Sequence, residues 1–283
     1  MIKNASILIG LLLMWSCTRP AEAPAAESAS EEPEVKEITY DTSDPSSVIT
    51  AIEAAAGGWD QLWSLNDVEF TYSYHSPSDD KLDLSTERYL FDSEHSWAKY
   101  TSHQINVFPD QEGEVIQCYD GKEKAEVSFN GEKQEDQEAV GLCHFLRKAN
   151  FFWFVMNFRL DDPGTIHEYL GQEEVNGVTY DKLKVSYDSE VTGKEQNDTF
   201  VLFVNPETKL VDRFLFSLPV WEIMEPVLLM EVEYSEVEGL MLPTLRRAYM
   251  PDEEGQYPDT PMLIQTTSNV KFNNGFTAED FVL

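Results

Sequence analysis

Basic residues are scarce in this sequence, because 20 Lys and Arg stand against 52 Asp and Glu and leave a formal net charge of −32. A protein that binds duplex nucleic acid needs a basic surface to replace the counterions of the phosphate backbone. The same charge opposes adsorption to anionic lipid headgroups. The composition therefore excludes a nucleic-acid partner and argues against loose electrostatic binding to a membrane surface.

Catalytic and cofactor-binding motifs are also missing. The sequence has no glycine-rich phosphate loop, no Gly-x-Ser-x-Gly elbow and no His-Glu-x-x-His pair. Its five histidines lack metal-ligand spacing, although His95 and His103 could converge from neighbouring strands. Acid pairs such as Asp161-Asp162 arise by chance among 52 carboxylates, so they do not indicate a glycosidase. We predict no catalytic residue, no metal, no cofactor and no enzymatic activity.

The N-terminal apolar run is too short to span a bilayer. Lys3 precedes the run Ile7–Trp15, which is followed by Ser16 and Cys17. A basic residue, a short apolar run and a small residue before cysteine resemble a bacterial lipoprotein signal. The resemblance implies that residues 1–16 are cleaved and that Cys17 carries a lipid, which would tie the chain to the cell envelope, at the outer membrane facing the periplasm or the cell surface. An ordinary cleaved signal and an uncleaved anchor are the alternatives.

Residues 17–46 are rich in Ala, Pro, Glu and Ser and have few large apolar side chains. Such a composition buries too little surface to offset the entropy of ordering. It predicts an acidic flexible tether between the membrane anchor and a folded domain over residues 47–283, or alternatively a poorly ordered terminus without a particular role.

The folded domain begins with helical spacing and then changes to strand spacing. Apolar residues recur from Val48 to Ala56 with a helical period, and Gly57-Gly58 end that helix. Val68, Phe70, Tyr72 and Tyr74 then alternate with polar residues, which predicts a strand with one apolar face.

Turn signals separate the strands that follow. Asp120-Gly121 predicts a type I′ hairpin, and Asn176-Gly177 predicts a second hairpin. The apolar phase slips between Tyr180 and Leu183, which indicates a bulge. About ten short antiparallel strands predict one curved sheet in an α+β domain that is mainly antiparallel β.

One segment, Gln134–Phe158, interrupts the strands. Its apolar residues recur at helical spacing and then run without interruption through Phe151, Phe152, Trp153 and Phe154. A patch of aromatic residues this dense is either buried or used for binding. The segment is therefore a helix that fills the core, a wall over a cavity for an apolar ligand, or a shallow membrane contact.

The order of these features along the chain resembles that of a known superfamily. A lipoprotein signal, an acidic tether, a helix that ends in Ala55–Trp59 and a long antiparallel meander look like the LolA/LolB-type lipoprotein carriers. More narrowly, Asp161–Gly164, Glu168–Gly171, Val178–Val185 and Asn205–Thr208 look like an uncharacterised family of secreted Bacteroidota lipoproteins with that fold.

The resemblance covers about residues 47–283 and implies an unclosed β-half-barrel, with helices over its concave face and an apolar groove for acyl chains. It carries over no catalytic residue. An arginine that would hold such a groove shut is not identifiable from the sequence, and the nominal candidates are Arg88, Arg213, Arg246 and Arg247.

The two remaining cysteines, Cys118 on a strand and Cys143 in the helical segment, would lie in an oxidising compartment after export. They either form a disulfide that ties the helix to the sheet or remain two separate buried thiols. Alternation does not decide between these, because Val115, Ile116 and Tyr119 place apolar groups on both faces of the strand.

Two functions of different classes follow. In the first, the half-barrel binds a lipid, an acyl chain or another hydrophobic ligand without chemistry, against Phe151, Phe152, Trp153, Phe154, Tyr72, Phe203 and Phe214. In the second, the domain is a structural or accessory envelope lipoprotein whose acidic surface binds a protein partner of unknown identity. A large apolar cavity would favour the first function, and an interior filled by side chains would favour the second.

Overall fold

The structure is a computed structural model, and it describes residues 37–109 and 111–283. The predicted signal peptide, Cys17 and residues 17–36 of the predicted tether lie outside the described residues. The compact unit covers Ile38–Leu283, and Tyr40 packs against its core and donates a hydrogen bond to Asp181.

One antiparallel sheet of thirteen strands organises the described chain. The strands are β1 (Asp67–Ser76), β2 (Lys81–Leu90), β3 (His95–His103), β4 (Val115–Asp120), β5 (Ala125–Phe129), β6 (Glu132–Gln134), β7 (Thr165–Val175), β8 (Val178–Tyr187), β9 (Phe200–Val204), β10 (Val211–Leu218), β11 (Ile223–Val237), β12 (Leu240–Tyr249) and β13 (Leu263–Phe272). Their order across the sheet is β6-β5-β4-β3-β2-β1-β13-β12-β11-β10-β9-β8-β7. The edge strands β6 and β7 do not pair with each other, so the sheet is unclosed and the predicted half-barrel class is confirmed.

The helices lie outside this strand order. They are α1 (Pro45–Ala55), α2 (Trp59–Trp63), α3 (Gln137–Val155) and α4 (Ser189–Thr192), and short 3-10 turns follow at Met156–Phe158, Pro219–Trp221 and Ala278–Phe281. Helix α1 begins with Pro45, whose fixed φ suits a first helical turn, and it buries Val48, Ile49 and Ile52. Gly57 ends it with a φ of 117°, and a Cβ there would lie 2.6 Å from the Gly239 carbonyl oxygen. Glycine therefore permits the close approach of α1 to the β11–β12 turn.

Helix α3 occupies the one place where the meander must cross the sheet. Strands β6 and β7 are consecutive in the chain but form opposite edges of the sheet. The 19 residues of α3 connect them and span about 28 Å at the rise of an α-helix. Asp136 begins the helix, because its carboxylate accepts a hydrogen bond from the Ala139 amide at 2.9 Å. The topology thus lays α3 across the concave side.

The turn at Asp120-Gly121 differs from the prediction. Strand β5 begins at Ala125, so four residues separate the strands, and only Gly121 of the pair has positive φ. The Asp120 carboxylate accepts hydrogen bonds from the amides of Lys122, Glu123 and Lys124. An aspartate that bonds its own following amides forms a wider loop than a type I′ turn.

The predicted bulge lies on the neighbouring strand. The pairing of β7 with β8 shifts between Tyr169 and Gly171, opposite Leu183 and Lys182. Leu170 is therefore the extra residue. The change of phase seen in the β8 sequence has its structural cause in β7. Asn176 and Gly177 both have positive φ, as the predicted hairpin requires.

Candidate functional site

The aromatic segment at the end of α3 packs in two directions. Phe151 and Phe154 face β1 and β2, where Phe154 stacks on Phe70 at 4.6 Å between ring centroids and Phe151 stacks on Tyr89 at 5.1 Å. Successive residues of a helix point about 100° apart, so their neighbours face elsewhere. Thus α3 contributes one aromatic pair to each half of the concave face.

The other aromatic pair faces β9 and β10. Trp153 stacks on Phe214 at 5.6 Å, and Phe152 stacks on Phe200 at 5.6 Å. Both Phe152 and Trp153 are only partly buried, whereas Phe214 is 1% exposed. These contacts fill the half of the concave face that β8–β11 form, which is called the apolar half below.

Six of the seven predicted ligand-binding residues line the concave side, namely Phe151, Phe152, Trp153, Phe154, Tyr72 and Phe214. The seventh, Phe203, does not. It belongs to a cluster with Tyr180 and Val201 on the other face of the sheet, where the Lys182 ammonium lies 5.3 Å and the Arg213 guanidinium 5.5 Å from its ring. Including Phe203 in the groove is therefore wrong.

The reason for this error is local. Strand β9 is buried at all five positions, Phe200–Val204, so both of its faces are apolar. Alternation then places Phe200, Leu202 and Val204 inward and Val201 and Phe203 outward. A continuous apolar run gives no sign of which phase faces inward.

The concave side is filled by side chains. The cavity between α3 and strands β10–β12 measures about 10 Å³ and is lined by Trp153, Asn157, Phe214, Tyr234 and Arg246 among others. A volume of this size holds at most one water molecule. An alkyl chain could therefore enter only if residues of α3 moved away.

A buried ion pair fixes the middle of α3, and sequence reasoning missed it. Arg147 and Glu87 are both fully buried and form a two-pronged ion pair, with Nη2 to Oε1 at 3.0 Å. Burial alone would lower the pKa of Arg147, but the Glu87 carboxylate raises it well above its ordinary value. The Arg147 guanidinium is therefore charged.

Neutral groups complete this network. Glu87 accepts hydrogen bonds from Ser85 at 2.7 Å and from Tyr89 at 2.6 Å, and the Tyr74 hydroxyl donates to Asn150 Oδ1 at 2.6 Å. A single arginine within the apolar part of α3 was the only sequence signal for it. Its acidic partner lies on β2, with no local pattern to identify it.

Of the four candidate arginines, Arg246 alone reaches the interior. Its Nη2 donates to the Trp153 carbonyl at 2.7 Å, near the end of α3, and its Nη1 lies 3.3 Å from Tyr72 Oη. Arg88, Arg213 and Arg247 instead lie on the outer face, where they contact Glu69, Phe203 and Glu233 respectively. A cation at a helix C-terminus satisfies carbonyls that have no partner within the helix.

Of the two alternatives for Cys118 and Cys143, the structure has two separate buried thiols, because they lie on opposite faces of the sheet. Cys118 pairs across strands with Trp97 and Glu126 and adjoins Phe281 on the outer face. Cys143 packs on the concave face, and its Sγ lies 3.7 Å from the carbonyl oxygen of Cys118. Both thiols are free and buried, and the sheet backbone separates them.

The two histidines that could have converged do not. His103 is buried and bonds the carbonyl oxygens of Val107 and Gly113, while His95 contacts Ser93. Among the described residues there is no group of three or more His, Cys, Asp or Glu that could hold a metal ion. The described helices also include none that is both long and apolar enough to cross a membrane.

Comparison with known proteins gives one family and several solved structures. A model of the family described as "Family of unknown function (DUF6503)" matches residues 46–222. None of the curated proteins matches the chain.

Three solved structures are similar over most of their length. A LolA superfamily protein from Nitrosomonas europaea is 14% identical, with a TM-score of 0.47, over 82% of this chain and 96% of its own. An outer membrane lipoprotein-sorting protein domain from Vibrio parahaemolyticus, which its description calls putative, is 9% identical, with a TM-score of 0.44, over 85% and 97%. A DUF1329 family protein from Desulfovibrio piger is 14% identical, with a TM-score of 0.40, over 84% and 98%.

Proposed function

This chain belongs to DUF6503, a family of unknown function, and we propose that its domain binds a hydrophobic ligand, such as a lipid or an acyl chain, without catalysing a reaction. The observation that carries the proposal is the way the concave side is covered. Helix α3 lies over an unclosed sheet and contributes Phe152 and Trp153 to the apolar cluster that α1 also covers.

The end of α3 can leave the sheet without breaking a strand pair. The helix takes no place in the strand order, and its covalent connections to the sheet are the chain segments that follow β6 and precede β7. Segments that open locally are those whose departure leaves the main hydrogen-bonded framework intact. The ligand enters when the end of α3 moves away from β9 and β10.

Replacing the aromatic side chains of α3 by a ligand changes the free energy little, because one apolar surface replaces another. The side chains of Phe200, Phe214 and Phe216 would contact an alkyl chain in place of Phe152 and Trp153. Each methylene buried there contributes about 0.8 kcal/mol. An alkyl chain thus offsets the loss of the aromatic contacts of α3.

The location in the cell is part of the proposal. We place the domain at the cell envelope, anchored through a lipid on Cys17 and held off the membrane by the acidic tether that follows it. Mass spectrometry of the mature N-terminus tests this point, because a diacylglyceryl group on Cys17 is expected, and an unmodified residue there would contradict it.

Bound lipid is the direct test of the ligand. The full chain is purified from membranes, its ligands are extracted with organic solvent, and the intact protein is weighed by native mass spectrometry. We expect about one bound amphiphile per chain. A protein without lipid that also fails to bind the neutral fluorescent probe N-phenyl-1-naphthylamine would contradict the proposal.

The filled interior favours a second candidate function. Because the cavity between α3 and β10–β12 measures only about 10 Å³, the domain would be an accessory envelope protein whose acidic surface binds a protein partner. Glu253 and Glu254 are exposed in the acidic loop that follows β12. This function predicts a crosslinked partner that is lost in the charge-reversal variant with Glu253→Lys and Glu254→Lys, together with no extracted lipid.

A further inference from the structure

A buried cation without an acidic partner lies at the end of α3. The Arg246 side chain is 2% exposed, and its three hydrogen bonds go to Trp153 O, Tyr72 Oη and Gln265 Oε1. All three acceptors are uncharged. Within residues 37–109 and 111–283, no carboxylate comes within ion-pair distance of Arg246.

A buried donor without a hydrogen-bond partner adjoins the same cavity. Asn157 is 5% exposed, and its Nδ2 is buried without a hydrogen-bond partner in the described structure. Its Oδ1 lies 3.5 Å from the Tyr234 hydroxyl. Asn157 and Arg246 both line the cavity of about 10 Å³, together with Trp153 and Phe214.

Burying Arg246 and the Asn157 amide in this way lowers the stability of the fold if the interior has only a structural role. Burying a charge without an opposite charge is unfavourable, and a buried donor without an acceptor loses the free energy of its hydration. The chain has an excess of 32 acidic charges, yet none of the carboxylates in the described ranges pairs with Arg246. The neighbouring Arg147 shows the usual solution, because it is paired with Glu87.

We infer that the ligand of the half-barrel is an anionic amphiphile, whose carboxylate or phosphate headgroup binds Arg246 and Asn157 while its alkyl chain covers Phe214. This inference rests on the proposed function and specifies its ligand class. A charged oxygen is a stronger acceptor for a guanidinium than the Trp153 carbonyl that it would replace. The headgroup therefore gains the ion pair that Arg246 lacks.

The position of Arg246 beside Trp153 supports this assignment. Arg246 bonds the carbonyl of Trp153, and the ring of the same residue stacks on Phe214 in the apolar half. A headgroup that displaces this carbonyl would shift the residue whose ring fills the place of the alkyl chain. Recognition of the head and admission of the tail are thus coupled at one residue.

The test compares ligands that share one chain and differ in the headgroup. Binding of oleate, 1-oleoyl lysophosphatidate and oleyl alcohol to the full chain is measured from Trp fluorescence, below the critical micelle concentrations and at constant ionic strength. We expect both anionic ligands to bind at least about tenfold more tightly than the alcohol. The ratio between oleate and lysophosphatidate distinguishes a fatty acid from a phospholipid.

Variants of Arg246 and Asn157 test whether these residues cause the preference for an anionic headgroup. Arg246→Gln is expected to abolish the preference for the anion, so that oleate and oleyl alcohol bind about equally, while Arg246→Lys retains part of the preference. Arg247→Gln, on the neighbouring outward position, is the matched control and should keep the wild-type ratio. If Arg246→Gln does not fold, Asn157→Leu replaces it and is expected to reduce the preference without weakening alcohol binding.

The outcomes separate this inference from the proposed function. Equal binding of the three ligands to the wild-type protein, or an unchanged preference in Arg246→Gln, overturns the anionic headgroup and leaves hydrophobic binding intact. Failure of all three to bind overturns the proposed function itself. Competition by acetate or inorganic phosphate alone at micromolar concentration would also contradict the inference, because the site would then be one for a free anion.

Discussion

The two halves of the concave face hold α3 in different ways. Against β1–β4 the helix is fixed by a polar network, in which Arg147 and Glu87 form an ion pair and Asn150 bonds Tyr74. Against β8–β11 it is fixed by apolar contacts, where Phe152 and Trp153 pack on Phe200 and Phe214. Hydrogen bonds and ion pairs require one geometry, whereas apolar surface accepts any partner of similar shape.

The contrast indicates that the two parts of α3 have different roles. A paired buried charge fixes position because every other arrangement leaves an unpaired charge inside the protein. An apolar contact can be exchanged for another with little loss. The polar half therefore keeps α3 attached, and the apolar half is where a hydrophobic ligand would take its place.

The largest effect is expected from removing one member of the ion pair. Arg147→Ala leaves Glu87 as an unpaired buried charge and should lower the free energy of unfolding by about 3–5 kcal/mol in urea denaturation. The double variant Arg147→Met, Glu87→Leu removes both charges and should lose less. Equal losses in the single and double variants would show that the ion pair does not hold this half.

A hydrophobic ligand should restore the stability that is lost when an aromatic side chain is removed from the apolar half. Trp153→Ala and Phe151→Ala each remove an aromatic side chain of α3 and should lower stability by about 3 kcal/mol. Oleyl alcohol at about 100-fold its Kd for Trp153→Ala should restore about 2.7 kcal/mol to that variant, as followed by urea denaturation. The same concentration should add less to Phe151→Ala, because Trp153 still competes there with the ligand for the apolar half. The two halves would be alike if both variants were restored equally.

A smaller, pH-dependent effect is expected where α1 borders the apolar half. Burial raises the pKa of Glu53 to about 7, and the Asp161 and Asp162 carboxylates add to the rise. Since the folded protein prefers protonated Glu53, this residue destabilises the fold as the pH rises from about 4.5 through about 7. Glu53→Gln should gain about 1 kcal/mol near pH 8, after allowance for solvent screening, and nothing near pH 4. An equal gain at both pH values would contradict this origin.

The thiols should give the smallest effect. Burial raises the pKa of Cys118 to about 12 and that of Cys143 to about 11, so both should react slowly with a thiol reagent near pH 8 until the protein unfolds. Adding a reductant should leave the unfolding midpoint unchanged. A disulfide between them would instead contribute about 3.5 kcal/mol, and its loss on reduction would show that the sheet does not separate the two sulfurs.

The sequence predicted the elements that local patterns encode. Alternation in β1 and the Asn176-Gly177 turn were confirmed, because each depends on the conformations of adjacent residues. Phe203 was placed on the wrong face because β9 is apolar on both faces. Cys118 was equally ambiguous, since β4 is buried on both faces.

The polar part of the site could not be predicted in the same way. Glu87 and Arg147 lie 60 residues apart in the chain, and only the path of α3 across the sheet brings them together. Arg246 was one of four arginines with similar local patterns, and its inward direction depends on the register of β12. Long-range contacts of this kind leave no periodic signal in the sequence.

Amide hydrogen exchange with and without oleate tests the central claim most directly. If a ligand replaces the end of α3, amides of residues 150–158 should exchange faster when oleate binds, while those of β1, β2, β12 and β13 keep their protection. Unchanged or increased protection of residues 150–158 in the oleate complex would contradict the account, because the ligand would then bind without displacing the helix.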